Sequence, residues 1–166
     1  MKNNPSVAVL LSAYNGISWI EEQVASIICQ KNTSIEIFIS VDLSNDKTYE
    51  WCQGLAGKNA HVKVLPYGEK FGGAAKNFFR LIRDVDFSCF DYVALSDQDD
   101  IWDSSKLHHA IRTIEQDSLD GYSSDVIAFW SNGREKLVKK SFPQKKFDYF
   151  FEAAGQIGRA SCRERV

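Results

Sequence analysis

The sequence lacks the features that would assign it to a membrane or to nucleic acid. Its 166 residues contain no apolar run near the roughly 20 residues that a membrane-spanning helix requires. The formal net charge is −2, so no basic field favours nucleic acid as a partner. No apolar leader opens the chain, which predicts a cytoplasmic protein.

Cysteine is also scarce, with four residues and no Cys-x-x-Cys pair or zinc-type spacing. Cys29 and Cys89 stand in apolar surroundings, which predicts buried thiols rather than nucleophiles. A disulfide framework is not expected in a reducing compartment. Neither a Gly-x-Gly-x-x-Gly nor a Walker sequence is found, so the common nucleotide-binding motifs are excluded.

The last ten residues differ in character from the rest of the chain. Reverse-translated, residues 157–166 reproduce a stretch of a common short-read sequencing adapter, so we expect them not to be native. A natural basic tail is the alternative. On the adapter hypothesis, residues 1–156 are the N-terminal portion of a longer protein.

What the chain does contain is an alternation of strand-like and helix-like segments. Apolar or alternating runs predict strands at residues 7–12, 35–41, 61–65, 92–96 and 126–130. Helical spacing predicts helices at 18–30, at 46–56, from Phe71 onward, and at 104–117. This order predicts an α/β fold with a mostly parallel sheet covered by helices on both faces.

Local signals refine this prediction at three places. Ser18 and Glu21 have the spacing of a capping box for the first helix, and Asp103 is placed to cap the last. Residues 136–140 are charged, which suits a returning hairpin or an edge strand.

An acidic loop, residues 96–102, directly follows the fourth predicted strand. Ligands of parallel α/β sheets bind beyond the carboxyl ends of the strands, so this loop is a candidate site. Asp97, Asp99 and Asp100 repel one another unless a cation neutralises them. Mg²⁺ or Mn²⁺ would do so through oxygen ligands and keep positions for phosphate oxygens. A solvated acidic turn is the alternative.

Other candidate residues carry weaker signals. Asp42 follows a strand and is either an Asx-turn residue or a carboxylate that accepts a nucleobase N–H. Tyr14 is either a locally packed aromatic side chain or a platform beside a base. The glycines before the third helix resemble a phosphate-binding turn, and Lys76 there is either a phosphate ligand or a surface lysine.

These segments together resemble family-2 glycosyltransferases of the GT-A (Rossmann-like) fold, over about residues 5–156. The rhamnosyltransferase-like enzymes of cell-surface polysaccharide assembly are the subgroup they resemble most. On this resemblance the chain is truncated after the nucleotide-binding half of the domain. The motifs that carry it are residues 7–16, 26–30, 41–48, 72–77 and 96–102.

The resemblance also implies roles for individual residues. Asp97 and Asp99 match the Asp-x-Asp motif, the first near the ribose and metal and the second as a metal ligand. Asp42 matches the family aspartate that contacts the base, although Val41 and Leu43 depart from the family's Asp-Asp-Gly-Ser pattern. The remaining matches are Ser12 and Tyr14, which would flank the base, and Lys76, which would face the diphosphate.

The implied reaction is metal-dependent, inverting transfer of a sugar from a nucleotide sugar, either dTDP-rhamnose-like or a UDP-sugar. The acceptor would be a polysaccharide or a lipid-linked saccharide, which implies peripheral association with the inner face of the cell membrane. The family's general base would lie after residue 156, so the fragment is expected to be inactive. The alternatives are a nucleotide-binding module without transferase activity and, less favoured, a phosphotransferase or nucleotidyltransferase.

Overall fold

The computed structural model describes residues 4–130, 132–139 and the backbone of 160–163. Four helices are described: α1 Ile20–Ile28, α2 Thr48–Ala56, α3 Ala74–Asp84 and α4 Lys106–Gln116. The described strands are β1 Ser6–Ala13, β2 Ser34–Val41, β3 Val62–Val64, β4 Tyr92–Asp97, β5 Gly121–Ser123, β6 Val126–Phe129, β7 Glu135–Val138 and β8 Ala160–Arg163.

The main sheet has the order β3-β2-β1-β4-β8-β5. The first four strands are parallel, while β8 pairs antiparallel with both β4 and β5. The predicted α/β fold with a mostly parallel sheet is confirmed. β8 lies within residues 157–166, whose non-native origin stays a prediction.

Strand β1 is central and buried on both faces, which explains its continuous apolar sequence. Val7, Val9 and Leu11 pack with apolar residues of α1, α2 and α4 on one face. Ala8 and Leu10 pack with α3 residues on the other face. The alternation of side chains along a strand therefore places three helices on one side of the sheet and one on the other.

The structure decides two predictions about the later elements, one from side-chain burial and one from strand pairing. The helix predicted at 104–117 forms as α4, and Leu107, Ile111 and Ile114, whose helical spacing supports that prediction, are buried in the core. The predicted strand at 126–130 forms as β6, but it pairs with β7 in a separate two-stranded hairpin. It is therefore not a fifth strand of the main sheet, because β7 follows closely enough to satisfy its backbone locally.

The predicted capping box is wrong. Helix α1 has Trp19 as its N-cap and no side-chain cap hydrogen bond. Instead the amides of Trp19 and Ile20 both donate to the Gly16 carbonyl at 2.9 Å, so a backbone turn starts the helix. Asp103 is not the cap of α4 either: Ser105 is the N-cap without a side-chain cap hydrogen bond, and the Asp103 carboxylate accepts from the Ser105 amide at 2.8 Å in the turn before the helix.

The cysteine prediction is also wrong, since Cys29 and Cys89 are exposed and Cys52 is buried. Cys29 comes directly after α1, beside exposed Ile28, and Cys89 lies in the loop before β4, so apolar neighbours in the sequence do not ensure burial of either thiol. Burial raises the pKa of the Cys52 thiol to about 12, so it is a neutral core residue. In the described part of the chain, no helix is long and apolar enough to cross a membrane.

Candidate functional site

The carboxyl ends of the parallel strands bring three loops to one edge of the sheet. Ser12, near the end of β1, pairs in register with Ser40 of β2 and with Asp97 of β4. The Asp42 amide donates to the Ala13 carbonyl at 2.8 Å. Three of the predicted site residues, Ser12, Asp42 and Asp97, therefore lie side by side where the strand-end rule places a ligand.

The β1–α1 and β2–α2 loops are joined by hydrogen bonds between their turns. The Asn15 amide donates to the Ser44 hydroxyl at 3.0 Å, and the Gly16 amide donates to the Thr48 hydroxyl at 2.8 Å. Asp46 accepts from the Thr48 amide at 2.9 Å and from the Ile17 amide at 3.2 Å. Desolvation raises the pKa of Asp46, but hydrogen bonds from Thr48 and Ile17 outweigh it and lower the pKa overall.

Asp42 is buried, with 3% of its surface exposed, and its carboxylate holds the glycine-rich turn before α3. One oxygen accepts from the Phe71 amide at 2.7 Å and from the Leu43 amide at 2.8 Å. The other accepts from the Gly72 amide at 2.9 Å. A carboxylate has about four acceptor directions, so one direction remains for a further N–H donor.

Helix α3 contributes two buried polar residues that the sequence did not single out as site residues. Asn77 donates to the Ser40 carbonyl at 2.9 Å and, more weakly, to the Ala13 carbonyl at 3.4 Å. Arg80 donates to the Ser40 hydroxyl at 3.0 Å and lies over the Phe71 ring at 5.0 Å. Their signal in the sequence is their i, i+3 spacing on the same face as the apolar core residues of α3.

The far end of the acidic loop is held by side chains from α1 and from the residues just after it. Ser26 accepts from the Trp102 amide at 3.0 Å. Gln30 donates to the Asp103 carbonyl at 2.6 Å and accepts from the Leu107 amide at 2.9 Å. These two polar side chains, one in α1 and one just after it, fix the path of the chain from β4 into α4, which explains why residues 26–30 accompany the acidic motif.

The predicted site residues differ sharply in exposure. Asp97 is half-buried and Asp99 is exposed. Tyr14 is 54% exposed, and its backbone is bonded to the Gln98 side chain, at 2.7 Å through its amide and 2.8 Å through its carbonyl. Lys76 is exposed in the first turn of α3, next to buried Asn77. Backbone geometry thus places Tyr14 and Lys76 at the same edge, with side chains directed to solvent.

The donor set at the acidic loop suits a hard divalent cation. Within residues 4–130 and 132–139, no group of three or more His, Cys, Asp or Glu side chains is arranged to hold a metal by itself. Asp97 and Asp99 supply carboxylate oxygens at the end of β4. Mg²⁺ and related ions commonly bind through one or two carboxylates plus phosphate oxygens of a ligand, so this pair fits a metal that arrives with a diphosphate.

A cleft of about 1060 Å³ opens beside the acidic loop. Asp99 and Trp102 line one side, and Phe129 and Trp130, at the end of the β6 segment, line another. A ligand bound at Asp99 therefore has room to extend toward aromatic side chains.

Comparison with known proteins assigns the class. The family model described as glycosyl transferase family 2 matches residues 8–161. The chain belongs to this family. The "dTDP-rhamnosyl transferase RfbG" of Shigella flexneri is 50% identical over 146 residues, which cover 87% of this chain and 50% of that protein.

Solved structures agree on the fold. Staphylococcus aureus TarS 1–349 in complex with UDP superposes with a TM-score of 0.64 at 21% identity, covering 86% of this chain and 39% of that one. The mannosyltransferase PcManGT of Pyrobaculum calidifontis, in complex with GDP-Man and Mn²⁺, gives 0.63 at 20% identity, covering 74% and 36%. The GT-A type of α/β fold is thereby confirmed, and the chain spans half or less of each of these three proteins.

Proposed function

We propose that this chain is the donor-binding half of a glycosyltransferase that moves a sugar from a nucleotide sugar to a saccharide or lipid-linked acceptor. The observation that carries the proposal is the 50% identity to a protein named as a dTDP-rhamnosyl transferase. This similarity favours dTDP-rhamnose as the donor, with a UDP-sugar as the alternative. A lipid-linked acceptor would bring the protein to the inner face of the cell membrane.

The proposed donor site is the set of residues at the carboxyl ends of the parallel strands, Ser12, Asp42 and Asp97, with Tyr14 in the adjoining loop. Ser12 and Tyr14 would flank the base, and Asp42 would accept a base N–H in the acceptor direction that its backbone partners leave open. Its burial suits this role, because a hydrogen bond to a desolvated carboxylate discriminates strongly between bases that have and lack the donor. Asp97 would lie near the ribose.

The diphosphate would be held between Lys76 and the acidic loop. Asp97 and Asp99 would hold Mn²⁺ or Mg²⁺, which as a Lewis acid stabilises the negative charge of the departing diphosphate. Lys76 adds a mobile positive charge from the opposite side, at the N-terminal end of α3. Lys76 and Asp99 are both exposed, which suits a charged ligand that would enter and leave during turnover.

We further propose inverting transfer, in which an acceptor hydroxyl attacks from the face opposite the diphosphate while a carboxylate takes its proton. We assign no described carboxylate to this task. The chain is therefore expected to bind donor without transferring its sugar, and metal-dependent sugar transfer by these 166 residues would contradict that expectation.

The test is calorimetric titration of the chain with dTDP and with UDP, each with and without Mn²⁺. Binding of either nucleotide is expected to tighten with Mn²⁺. Asp99→Asn deletes a charged metal ligand, so it is expected to reduce this Mn²⁺-dependent gain in affinity at least about tenfold. Asp117→Asn, at an exposed position after α4, is the matched control.

Two results would count against the proposal. Tight binding that ignores Mn²⁺ and survives Asp99→Asn would favour a nucleotide-binding module without transferase chemistry. Failure of both nucleotides to bind would exclude a nucleotide-sugar site in this chain.

A further inference from the structure

Gln98 stands between the two aspartates of the acidic loop, but its side chain binds the other loop of the site. Its Oε1 accepts from the Tyr14 amide at 2.7 Å, and its Nε2 donates to the Tyr14 carbonyl at 2.8 Å. One side-chain amide thus satisfies both backbone groups of one residue, 84 positions away in the sequence. Two hydrogen bonds from one planar amide fix both its position and its orientation.

Gly16 provides the space for this contact. A Cβ built at Gly16 would lie 2.0 Å from Gln98 Oε1 and 2.5 Å from Gln98 Cδ. Its backbone lies outside the left-handed region, so the need for glycine here comes from space and not from φ. The tip of the β1–α1 loop is therefore shaped around the Gln98 amide.

The contact joins the two halves of the proposed donor site. Asp97 and Asp99 are the covalent neighbours of Gln98, and Tyr14 is the residue placed beside the base. A displacement of the acidic loop must either carry the Tyr14 backbone with it or break two hydrogen bonds. Helix α1 also contacts the acidic loop, through Gln23 at the Ser96 hydroxyl at 2.6 Å and through Ser26 at the Trp102 amide at 3.0 Å, but those bonds do not join the loop to Tyr14.

We infer that Gln98 is a positioning residue that couples metal binding at Asp97 and Asp99 to nucleoside binding at Tyr14. This inference rests on the proposed function. We call the two hydrogen bonds between the Gln98 side chain and the Tyr14 backbone the Gln98 clamp. On this inference a metal ion tightens nucleotide binding partly through the clamp, in addition to the direct contact between metal and phosphate. Coupling between two sites is reciprocal, so nucleotide should tighten metal binding by the same factor.

Gln98→Met is the variant that isolates the clamp, because methionine keeps the length of the side chain and its neutral charge but loses both hydrogen bonds. The measurement is the ratio of dTDP dissociation constants without and with Mn²⁺, repeated with UDP. The ratio is expected to fall about five- to tenfold in Gln98→Met, within the usual range of coupling between sites. Gln53→Met, at an exposed position in α2, is expected to leave the ratio unchanged.

A second pair of variants tests the clamp without any ligand. Gly16→Ala alone is expected to lower the thermal unfolding midpoint, because its Cβ overlaps the Gln98 amide. In the Gln98→Ala background the overlap is gone, so adding Gly16→Ala is expected to change the midpoint little. Such non-additivity is the signature of two residues in direct contact.

The outcomes separate this inference from the proposed function. An Mn²⁺ effect of full size in Gln98→Met overturns the coupling and leaves the proposed function intact. Absence of any Mn²⁺ effect in the unsubstituted chain overturns both. Equal destabilisation by Gly16→Ala in the presence and absence of Gln98 overturns the clamp itself.

Discussion

Asp42 and Asp99 both carry carboxylates just after parallel strands, yet Asp42 is buried and Asp99 is exposed. Asp42 is 3% exposed and accepts hydrogen bonds from three backbone amides. Asp99 is exposed and lines the cleft beside the acidic loop. The first carboxylate is surrounded by backbone amides of the protein, and the second faces solvent.

This difference in burial implies different roles for the two carboxylates, one structural and one open to a ligand. A buried carboxylate that organises backbone amides builds the pocket, and its removal leaves donors without acceptors. An exposed carboxylate contributes little to folding and is available to a cation. Substitution of Asp42 should therefore affect stability more than substitution of Asp99 does, whereas substitution of Asp99 should affect mainly the Mn²⁺-dependent binding of nucleotide.

The largest expected effect on stability comes from Asp42→Ala. The amides of Leu43, Phe71 and Gly72 would lose their acceptor, at a cost of about 2–3 kcal/mol in the free energy of unfolding. Asp42→Asn keeps one acceptor oxygen, so its free energy of unfolding should fall less than that of Asp42→Ala. Urea unfolding of the two variants checks the order, and an Asp42→Ala chain as stable as the original would show that water replaces the carboxylate.

A smaller effect is expected from Asp46, which links the β1–α1 and β2–α2 loops. Its pKa is below the ordinary value of 3.8, so its stabilising contribution is present above that value and is lost as pH falls through its lower folded pKa. Asp46→Asn should therefore destabilise the chain at pH 7, by about 1 kcal/mol for the lost charge-assisted hydrogen bonds. The two chains should converge below pH 3.8.

Thermal unfolding between pH 7 and pH 3 measures this convergence. Glu69→Gln removes a charge from an exposed loop and serves as the control. A constant difference between Asp46→Asn and the original chain at every pH would show that the carboxylate's charge has no part in holding the two loops together.

The smallest effect on stability is expected from Asp99→Ala, within about 0.5 kcal/mol of the original chain, because the side chain is exposed. The same variant should lose the Mn²⁺-dependent part of nucleotide binding. A large loss of stability in urea unfolding would mean that Asp99 builds the loop, and the contrast with Asp42 would fail.

Much of the fold could be predicted because its signals are local. The apolar run at the start of the chain has too few polar residues for a half-exposed strand. Its composition therefore predicts that β1 is buried on both faces of the sheet. The spacing of Leu107, Ile111 and Ile114 likewise fixed the inner face of α4. Both signals are periodicities that any chain with those elements must show.

Sequence reasoning fell short where tertiary contacts outweigh local preference. Ser18 suits a cap, but the Gly16 carbonyl is already positioned by the loops around it and accepts both amides at the start of α1. Asp42 has the sequence of an Asx-turn, but its carboxylate holds a turn about 30 residues away. Arg80 is buried only because Ser40, Pro66 and Phe71 converge on it.

The sequence by itself determined the alternation of strands and helices, the direction of the parallel strands and the loops that would meet at their ends. Those follow from side-chain periodicity and from the handedness of strand–helix–strand connections. Only the tertiary structure decided that Asp42 would be enclosed by backbone amides, that Asp99 would be exposed, and that Gln98 would clamp Tyr14. Each depends on hydrogen bonds between residues far apart in the chain, whose geometry exists only once the sheet has formed.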